Sequence, residues 1–375
     1  MPNTTKRRGA PSVERAGSQG RAHANPSRSV RHRGGLVARK PKTIELALQG
    51  GGSHGAFTWG VLDRLLEDDR IVVGSISGTS AGAMNGAVVA DGLDRGGKEA
   101  AREALNHFWE GVSEAARFSP FQRTPLNWLL GRWDLDDSPG YHLVEMLSRA
   151  LSPYALNPMN LNPLRDMIDS LVDFKHVRHA KGIKLFVSAI NVRTGKPRVF
   201  HRQELTADMV MASACLPQAF QAVEIDGEAY WDGGYIGNPA LAPLVEDSQS
   251  RDLVIVQINP IFREELPRDA IDIHNRINEI TFNAALVKEL RAIAYLKRLI
   301  RVQKLERKLY MDVFFHRINA DPELKPLGAS SKMNGEWAFL RHLHDVGYRT
   351  TSAWLDNNFD ALGHHSTLDV ENVYF

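Results

Sequence analysis

Beyond residue 42, apolar residues occur in short β-type runs that alternate with helical patterns. A run at 43–48 precedes three glycines and a helical pattern over 54–66, and a second run at 72–77 precedes a helix that begins at Ala81. Because parallel strands are joined by crossover helices, this rhythm predicts an α/β protein with three layers, α/β/α, and a mainly parallel central sheet. Further buried strands are expected at 183–190 and 253–258.

The pattern changes between residues 118 and 165, where Pro and Asn are frequent and a cap-like insertion is predicted. Its apolar cluster forms either a hydrophobic lid or part of the core, and consists of Trp128, Leu129, Leu130 and Trp133. Towards the C-terminus, apolar spacing predicts one or two long helices over 277–315 and another over 337–355.

These patterns predict three regions: a tail at 1–42, a catalytic domain at 43–260 with its motifs at 44–247, and a mainly helical C-terminal extension at 261–375. The tail contains eleven Lys and Arg and one acid, Glu14, so it carries about +10 and the remainder about −8 of the net +2. With few apolar residues the tail is expected to be disordered, either as an arm for anionic lipid or nucleic acid or as a solvated segment.

Composition indicates the cellular compartment of the protein and its relation to membranes. The single cysteine, Cys215, excludes an internal disulfide and favours a reducing compartment such as the cytoplasm. We expect neither a signal peptide nor a transmembrane helix, so any membrane contact would be peripheral. Eight Lys and Arg between 288 and 308 predict either a membrane-facing helix or a solvated helix face.

Three local motifs carry candidate chemistry. The first is a G-x-S-x-G pentapeptide with Ser80 between Gly78 and Gly82, placed between a strand and a helix. Such a turn can expose a nucleophilic serine at the carboxyl edge of a sheet, although an ordinary tight β–α connection has the same composition.

The second motif is a glycine-rich loop at the start of a helix, formed by Gly50, Gly51, Gly52, Ser53 and Gly55. Its backbone N–H groups can hold a phosphate or the oxyanion of a tetrahedral intermediate. The loop also fits G-x-G-x-x-G, but a dinucleotide site requires an acid after the second strand, where this chain has serine and glycine.

The third motif is Asp232-Gly233-Gly234, which follows a hairpin-like segment at 220–230. This composition is typical of an ordinary turn, but the aspartate could also act as the general base for a nucleophilic serine.

In this order, the three motifs resemble the patatin-like lipid acyl hydrolase family over residues 44–247, including Ser213–Pro217 before the Asp-Gly element. The resemblance implies a dyad in which Ser80 is the nucleophile and Asp232 the general base. It further implies an oxyanion hole at Gly50–Ser53, an acyl-enzyme intermediate and fatty acyl esters of phospholipids or other lipids as substrates. We expect neither a cofactor nor a metal.

Two positions depart from the family pattern. His54 stands where Arg or Lys is usual, and Gln49 stands where Asp is frequent. A histidine could keep part of the polar role of the basic residue, or change its charge with pH near neutrality.

Other functions remain open at this stage. The same dyad could cleave a hydroxyalkanoate polymer or a small soluble ester, or the glycine loop could serve a nonhydrolytic phosphate- or nucleotide-binding module. A Ser–acid–His triad would need a histidine after Asp232, for which the candidates are His274, His316, His342, His344, His364 and His365. No HExxH motif or cysteine cluster indicates a metal site, no specific nucleic acid is expected, and the oligomeric state is open.

Overall fold

The computed structural model describes residues 40–247, 249–302 and 312–375. In these residues, eight strands form one sheet. The strands are β1 Lys42–Leu48, β2 Ile71–Gly78, β3 Lys184–Asn191, β4 Pro197–His201, β5 Val223–Ile225, β6 Glu228–Asp232, β7 Asp252–Gln257 and β8 Phe314–Asn319. The helices are α1 Gly55–Glu67, α2 Ala81–Ala116, α3 Pro125–Leu129, α4 Pro139–Ala150, α5 Pro153–Leu156, α6 Pro163–Leu171, α7 Phe174–His179, α8 Ala207–Ala212, α9 Ala242–Glu246, α10 Ala270–Arg301, α11 Asp321–Leu324, α12 Trp337–Asn358 and α13 Val370–Tyr374.

The order of strands in the sheet is β5-β6-β3-β2-β1-β7-β8, and β4 pairs with β3. The run from β3 to β8 is parallel, whereas β4 and β6 pair with β3 in the antiparallel sense. The chain winds from β1 through β2 to β3 on one side and later adds β7 on the other side of β1. This reversal opens a crevice at the carboxyl ends of β1 and β7, which is where ligands bind in open α/β sheets.

Successive residues of a strand point to opposite faces of the sheet, and both faces are buried. Ile44, Leu46 and Leu48 pack with α1, α2 and α12, while Ala47 packs with α9, α10 and α13 on the opposite face. Leu253 and Ile255 alternate with Val254 and Val256 in the same way along β7. The predicted three-layer α/β/α fold with a mainly parallel sheet is therefore confirmed.

Two glycines allow α1 and α12 to cross at backbone distance. A Cβ atom added at Gly60 would lie 1.9 Å from the carbonyl oxygen of His344, and one at Gly347 would lie 2.1 Å from that of Phe57. Residues 261–375 are mainly helical, yet they also supply β8 and the α12 layer, and Lys40–Phe375 form one compact unit. A domain boundary at residue 260 stays a prediction.

Several predicted bounds needed correction. The first strand begins at Lys42, inside the predicted tail 1–42, of which residues 1–39 lie outside the described residues. The helix expected over 277–315 begins earlier, at Ala270, and Phe314 and Phe315 belong to β8. The reason is that a short apolar run suits a strand as well as a helix.

The basic stretch at 288–308 is not a uniform solvent-facing stripe. Lys297 is buried, and its ammonium group donates to the carbonyl oxygen of Val313. Residues 304, 307 and 308 and the side chain of Arg301 lie outside the described residues. None of the described helices is both long enough and apolar enough to cross a membrane.

The predicted insertion consists of short helices, α3 to α6, joined by irregular segments. Trp133 stacks on Phe339 at 5.2 Å between ring centroids, so this residue packs inward. Trp128, Leu129 and Leu130 are instead exposed, with 68% of the surface of Trp128 accessible. The cluster is thus split between the core and the surface.

Candidate active site

Ser80 stands on a strained turn between β2 and α2. Its φ angle is +54°, which is uncommon for a residue with a side chain, and its N–H donates to Ser213 Oγ at 2.9 Å. The flanking glycines permit close packing, because a Cβ at Gly78 would lie 2.5 Å from the Gly82 oxygen and one at Gly82 would lie 2.3 Å from the Leu48 oxygen. The turn therefore holds the serine hydroxyl at the carboxyl edge of the sheet.

Asp232 ends β6 and is almost fully buried, with 1% of its surface exposed. Its Oδ1 accepts a hydrogen bond from Gly234 N at 2.7 Å. Burial raises the pKa of Asp232 to about 7, while hydrogen bonding from Gly234 and Ser80 and the charge of Lys332 act in the opposite direction. The structure thus brings Asp232 beside Ser80, and its carboxyl group titrates near neutral pH.

Glycines also fix the turn that follows Asp232. A Cβ at Gly233 would lie 2.2 Å from the carbonyl oxygen of Ser188, and one at Gly234 would lie 2.4 Å from the Phe282 ring. The turn is therefore clamped between β3 and α10. The backbone N–H of Asp232 is bonded to Cys215 O at 2.8 Å, so the segment before the turn is fixed as well.

The glycine-rich loop lies directly against Ser80. A Cβ at Gly50 would lie 2.7 Å from Ser80 Cβ, and one at Gly55 would lie 2.5 Å from Ala81 Cβ. Gly52 has a φ of +57°, in the left-handed region that favours glycine. The loop, the serine turn and the aspartate turn therefore meet at one point.

One of the predicted oxyanion donors is already used. The N–H of Gly50 donates to Asn238 Oδ1 at 2.7 Å, so in this conformation it is not available to an oxyanion. The loop N–H groups that remain as candidates are those of Gly51, Gly52 and Ser53, at the start of the turn that leads into α1.

His54 does not act as the charge switch that its residue type suggested. It is buried, and its Nε2 donates to Ser331 Oγ at 2.7 Å, since the Ser331 hydroxyl itself donates to Gly328 O. Burial, reinforced by the charge of Lys332, lowers the pKa of His54 to about 3. The side chain is therefore neutral throughout the physiological range, which corrects the expectation of a charge change near neutrality.

Lys332 supplies a positive charge near the loop, although no sequence motif indicated it. Its carbonyl oxygen would lie 2.4 Å from a Cβ at Gly52, and its ammonium group donates to Asn259 Oδ1 at 2.8 Å and to Asn278 Oδ1 at 2.6 Å. Burial lowers the pKa of Lys332 to about 8, against the opposing effect of Glu279 and Asp232. At neutral pH it is mostly protonated.

Gln49 connects the strands on the two sides of the crevice. Its Oε1 accepts from the N–H groups of Ile258 and Asn259, both at 2.9 Å, and its Nε2 donates to Asn283 Oδ1 at 3.0 Å. A carboxylate could not make the last of these bonds. The amide therefore ties β1 to β7 and to α10.

The six candidate histidines of a triad lie in other surroundings. His316 contacts Asp252 at 3.0 Å and His344 contacts Asp63 at 2.9 Å, while His342 stacks on Trp133. His274, His364 and His365 are exposed. Within the described ranges, no hydrogen bond links any of the six to Ser80 or Asp232, and no cluster of three potential metal ligands occurs.

Comparisons with known proteins were made for sequence and structure. A model of the family described as patatin-like phospholipase matches residues 46–245. Among solved structures, VipD from Legionella pneumophila is similar with a TM-score of 0.40 and 14% identity, over 85% of this chain and 67% of that one. A comparison with curated proteins found no match.

The type III effector ExoU is also similar, with a TM-score of 0.35 and 14% identity over 85% of this chain and 53% of that one. A structure of ExoU with SpcU from Pseudomonas aeruginosa gives a TM-score of 0.27 and 16% identity, over 83% of this chain and 53% of that one. This chain thus spans about half of ExoU and about two thirds of VipD.

The family match covers more than half of the chain, and it contains all three motifs that meet at Ser80. It also spans the strands from β2 to β6 and the last three residues of β1, which carry those motifs. The chain belongs to the patatin-like phospholipase family of lipid acyl hydrolases.

Proposed function

We propose that this protein is a serine acyl hydrolase that cleaves fatty acyl esters of lipids through a dyad of Ser80 and Asp232. The observation that carries the proposal is the pairing of a strained, positive-φ serine with a buried carboxyl group whose pKa lies at about 7. A general base is most effective when its pKa is near the working pH. Asp232 meets this condition without a histidine.

In the proposed first step, the ionised Asp232 takes the hydroxyl proton of Ser80 while Ser80 Oγ attacks the ester carbonyl carbon. The carbonyl oxygen becomes an oxyanion, which accepts hydrogen bonds from N–H groups of Gly51, Gly52 and Ser53. The alcohol leaves with the proton held by Asp232, and an acyl-serine remains. In the second step, Asp232 takes a proton from water, whose oxygen attacks the acyl carbon. The bond from that carbon to Ser80 Oγ then breaks, Asp232 returns the proton to Ser80, and the fatty acid is released.

Hydrogen bonds and charges around Ser80 and Asp232 support these roles. The N–H of Gly234 holds Asp232 Oδ1 in place, and Ser213 Oγ holds the backbone of Ser80. The positive charge of Lys332 favours the ionised form of Asp232. His54, being neutral, adds no charge and instead fixes the start of α1 to the segment at 328–331.

The test is labelling by a fluorophosphonate probe together with release of fatty acid from phospholipid vesicles. Ser80→Ala is expected to abolish both signals, and Asp232→Asn to lower the rate by about a hundredfold to ten-thousandfold, as loss of a general base does. Asp226→Asn, an exposed aspartate on the same hairpin, is the matched control and should retain wild-type activity.

The choice of ester is tested in the same experiment. Short-chain, long-chain and polymeric esters are compared, and a preference for long-chain lipid esters is expected. A wild-type protein that neither reacts with the probe nor releases acid from any ester would contradict the proposal. The glycine loop would then be tested with inorganic phosphate and nucleotides.

A further inference from the structure

Helix α4 contacts Pro120 and Phe121 near its N-terminus, but the described part of the chain leaves its apolar side incompletely covered. It is twelve residues long and has no buried side chain, although Leu143, Val144, Met146 and Leu147 are apolar. Amphipathic helices normally bury their apolar side. The exposed apolar residues of the surrounding insertion are numerous, and comprise Phe118, Leu126, Trp128, Leu129, Leu130, Leu143, Met146, Leu151, Tyr154, Leu156, Met159 and Leu161.

A second exposed apolar segment lies on the first half of α10 and the loop before it. Ile273, Ile277 and Ile280 are spaced by four and three residues, so they lie on one side of the helix, and each is exposed. Phe262 and Leu266 in the preceding loop are exposed as well. We call the exposed apolar residues of 118–161 and 262–280 together the apolar rim.

Both parts of the apolar rim are attached to the segment that packs on the glycine loop. The N–H of Leu135 donates to Ser330 Oγ at 3.0 Å, and Asn275 Oδ1 accepts from Ala329 N at 2.8 Å. Two residues further on, Lys332 lies against Gly52. Both segments that carry the rim are therefore joined to the segment that covers the glycine loop.

The same two segments also contact the other side of the site. Gln221 Nε2 donates to the carbonyl oxygen of Asn157 at 2.6 Å, which joins the insertion to the segment that follows Cys215. On α10, Phe282 packs against the turn of Asp232, and the exposed Ile280 lies two residues before it, about half a turn around the helix and therefore on the opposite, outward side. The insertion and α10 thus both contact segments next to Ser80 and Asp232, and their exposed apolar residues face outward from there.

The charge of these two segments indicates which kind of surface could cover the apolar rim. Residues 118–161 and 262–280 contain six arginines, nine carboxylates and no lysine, so these two segments are net negative and are repelled by an anionic surface. The tail at 1–42 has too few large apolar residues to cover the rim. Exposed apolar patches of this extent mark interaction sites.

We propose that the apolar rim docks on a lipid surface whose head groups are zwitterionic, and thereby presents Ser80 to ester bonds in that surface. The inference rests on the proposed function for the identity of the occupant, since a lipid substrate resides in such a surface. Apolar side chains enter the boundary between head groups and acyl chains, and aromatic residues such as Trp128 lie at its polar edge.

The test measures co-sedimentation of the Ser80→Ala protein, which leaves the lipid intact, with phosphatidylcholine vesicles. Two double variants remove rim residues, Trp128→Ser with Leu129→Ser and Ile277→Ser with Ile280→Ser. Each is expected to weaken partitioning about tenfold or more, since the apolar area that each pair buries is lost. The control, Tyr295→Ser with Val302→Ser, removes exposed apolar groups at the other end of α10 and should change partitioning by less than about twofold.

Activity provides a second measurement. With Ser80 intact, the rim variants should retain the wild-type rate on a soluble short-chain ester and lose it on phosphatidylcholine vesicles. Unchanged partitioning of both rim variants, or partitioning that needs phosphatidylglycerol in the vesicles, would overturn the proposal. So would rim variants that dissociate a dimer in light scattering and partition normally, because a second copy would then cover the rim. A wild-type protein that cleaves no ester but partitions as expected would contradict the proposed function alone.

Discussion

The pH dependence of ester cleavage tests the role of Asp232 most directly. Burial places the pKa of this carboxyl group at about 7, and a general base must be ionised to act. About one tenth of the protein carries the ionised group at pH 6 and about one hundredth at pH 5. The value of kcat/KM should therefore rise about tenfold for each pH unit below 7 and become constant above it.

The assay uses a soluble short-chain ester at constant ionic strength, so that binding to vesicles does not contribute. A change in kcat/KM with a midpoint near pH 7 is often assigned to a histidine, so His54→Gln serves as the control. This variant should leave the midpoint of the pH profile unchanged, because the pKa of His54 is lowered to about 3. A profile that is flat between pH 5 and 8, or whose midpoint lies near 4, would refute the reasoning that burial dominates the titration of Asp232.

Three further predictions concern the same site. Asp232→Asn should raise the free energy of unfolding, measured with urea, by at most about 4 kcal/mol at pH 8 and by much less at pH 5. The reason is that the pKa of Asp232 is about 7 in the folded protein and lower in the unfolded protein. As the pH rises above the unfolded pKa, the buried carboxyl group destabilises the folded wild type, and the asparagine variant lacks this cost. Lys332→Met should move the midpoint of the kcat/KM profile to higher pH, since the charge that lowers the pKa of Asp232 is removed; an unmoved midpoint would exclude this influence. Gly50→Ala should reduce fluorophosphonate labelling, because the added Cβ would lie 2.7 Å from Ser80 Cβ. Labelling at the wild-type rate would show that the glycine loop moves to accommodate the added methyl group without disturbing Ser80.

The parts of the site that the sequence predicted are those built from consecutive residues. Ser80 follows a buried strand and begins a helix, so its exposed position at the sheet edge can be inferred from the local pattern. Asp232 likewise ends a strand of a short hairpin and is followed by two glycines. In each case the geometry depends on a few neighbours along the chain, and the predicted α/β order brings the two turns to one edge.

The parts that were missed depend on contacts between distant residues. Asn238 removes the Gly50 N–H from the set of free donors, and burial together with the charge of Lys332 keeps His54 neutral. The histidine could be recognised by its residue type, but its burial under the segment at 328–333 could not be recognised from the sequence. For the same reason Lys332, more than 250 residues from Ser80 along the chain, gave no signal of its proximity to the site.

The two departures from the family pattern have a common physical explanation. An acid at position 49 and a base at position 54 would place two opposite charges at the ends of the glycine loop, whereas Gln49 and the neutral His54 place none. Neutral hydrogen bonds keep the loop in position, through Ile258 and Asn259 at one end and through Ser331 at the other. The positive charge is supplied instead by Lys332, whose ammonium group is held by amide oxygens rather than by a carboxylate. The electrostatic setting of Asp232 therefore depends on the region after residue 260, so this region is part of the proposed chemistry and not only a cover for the sheet.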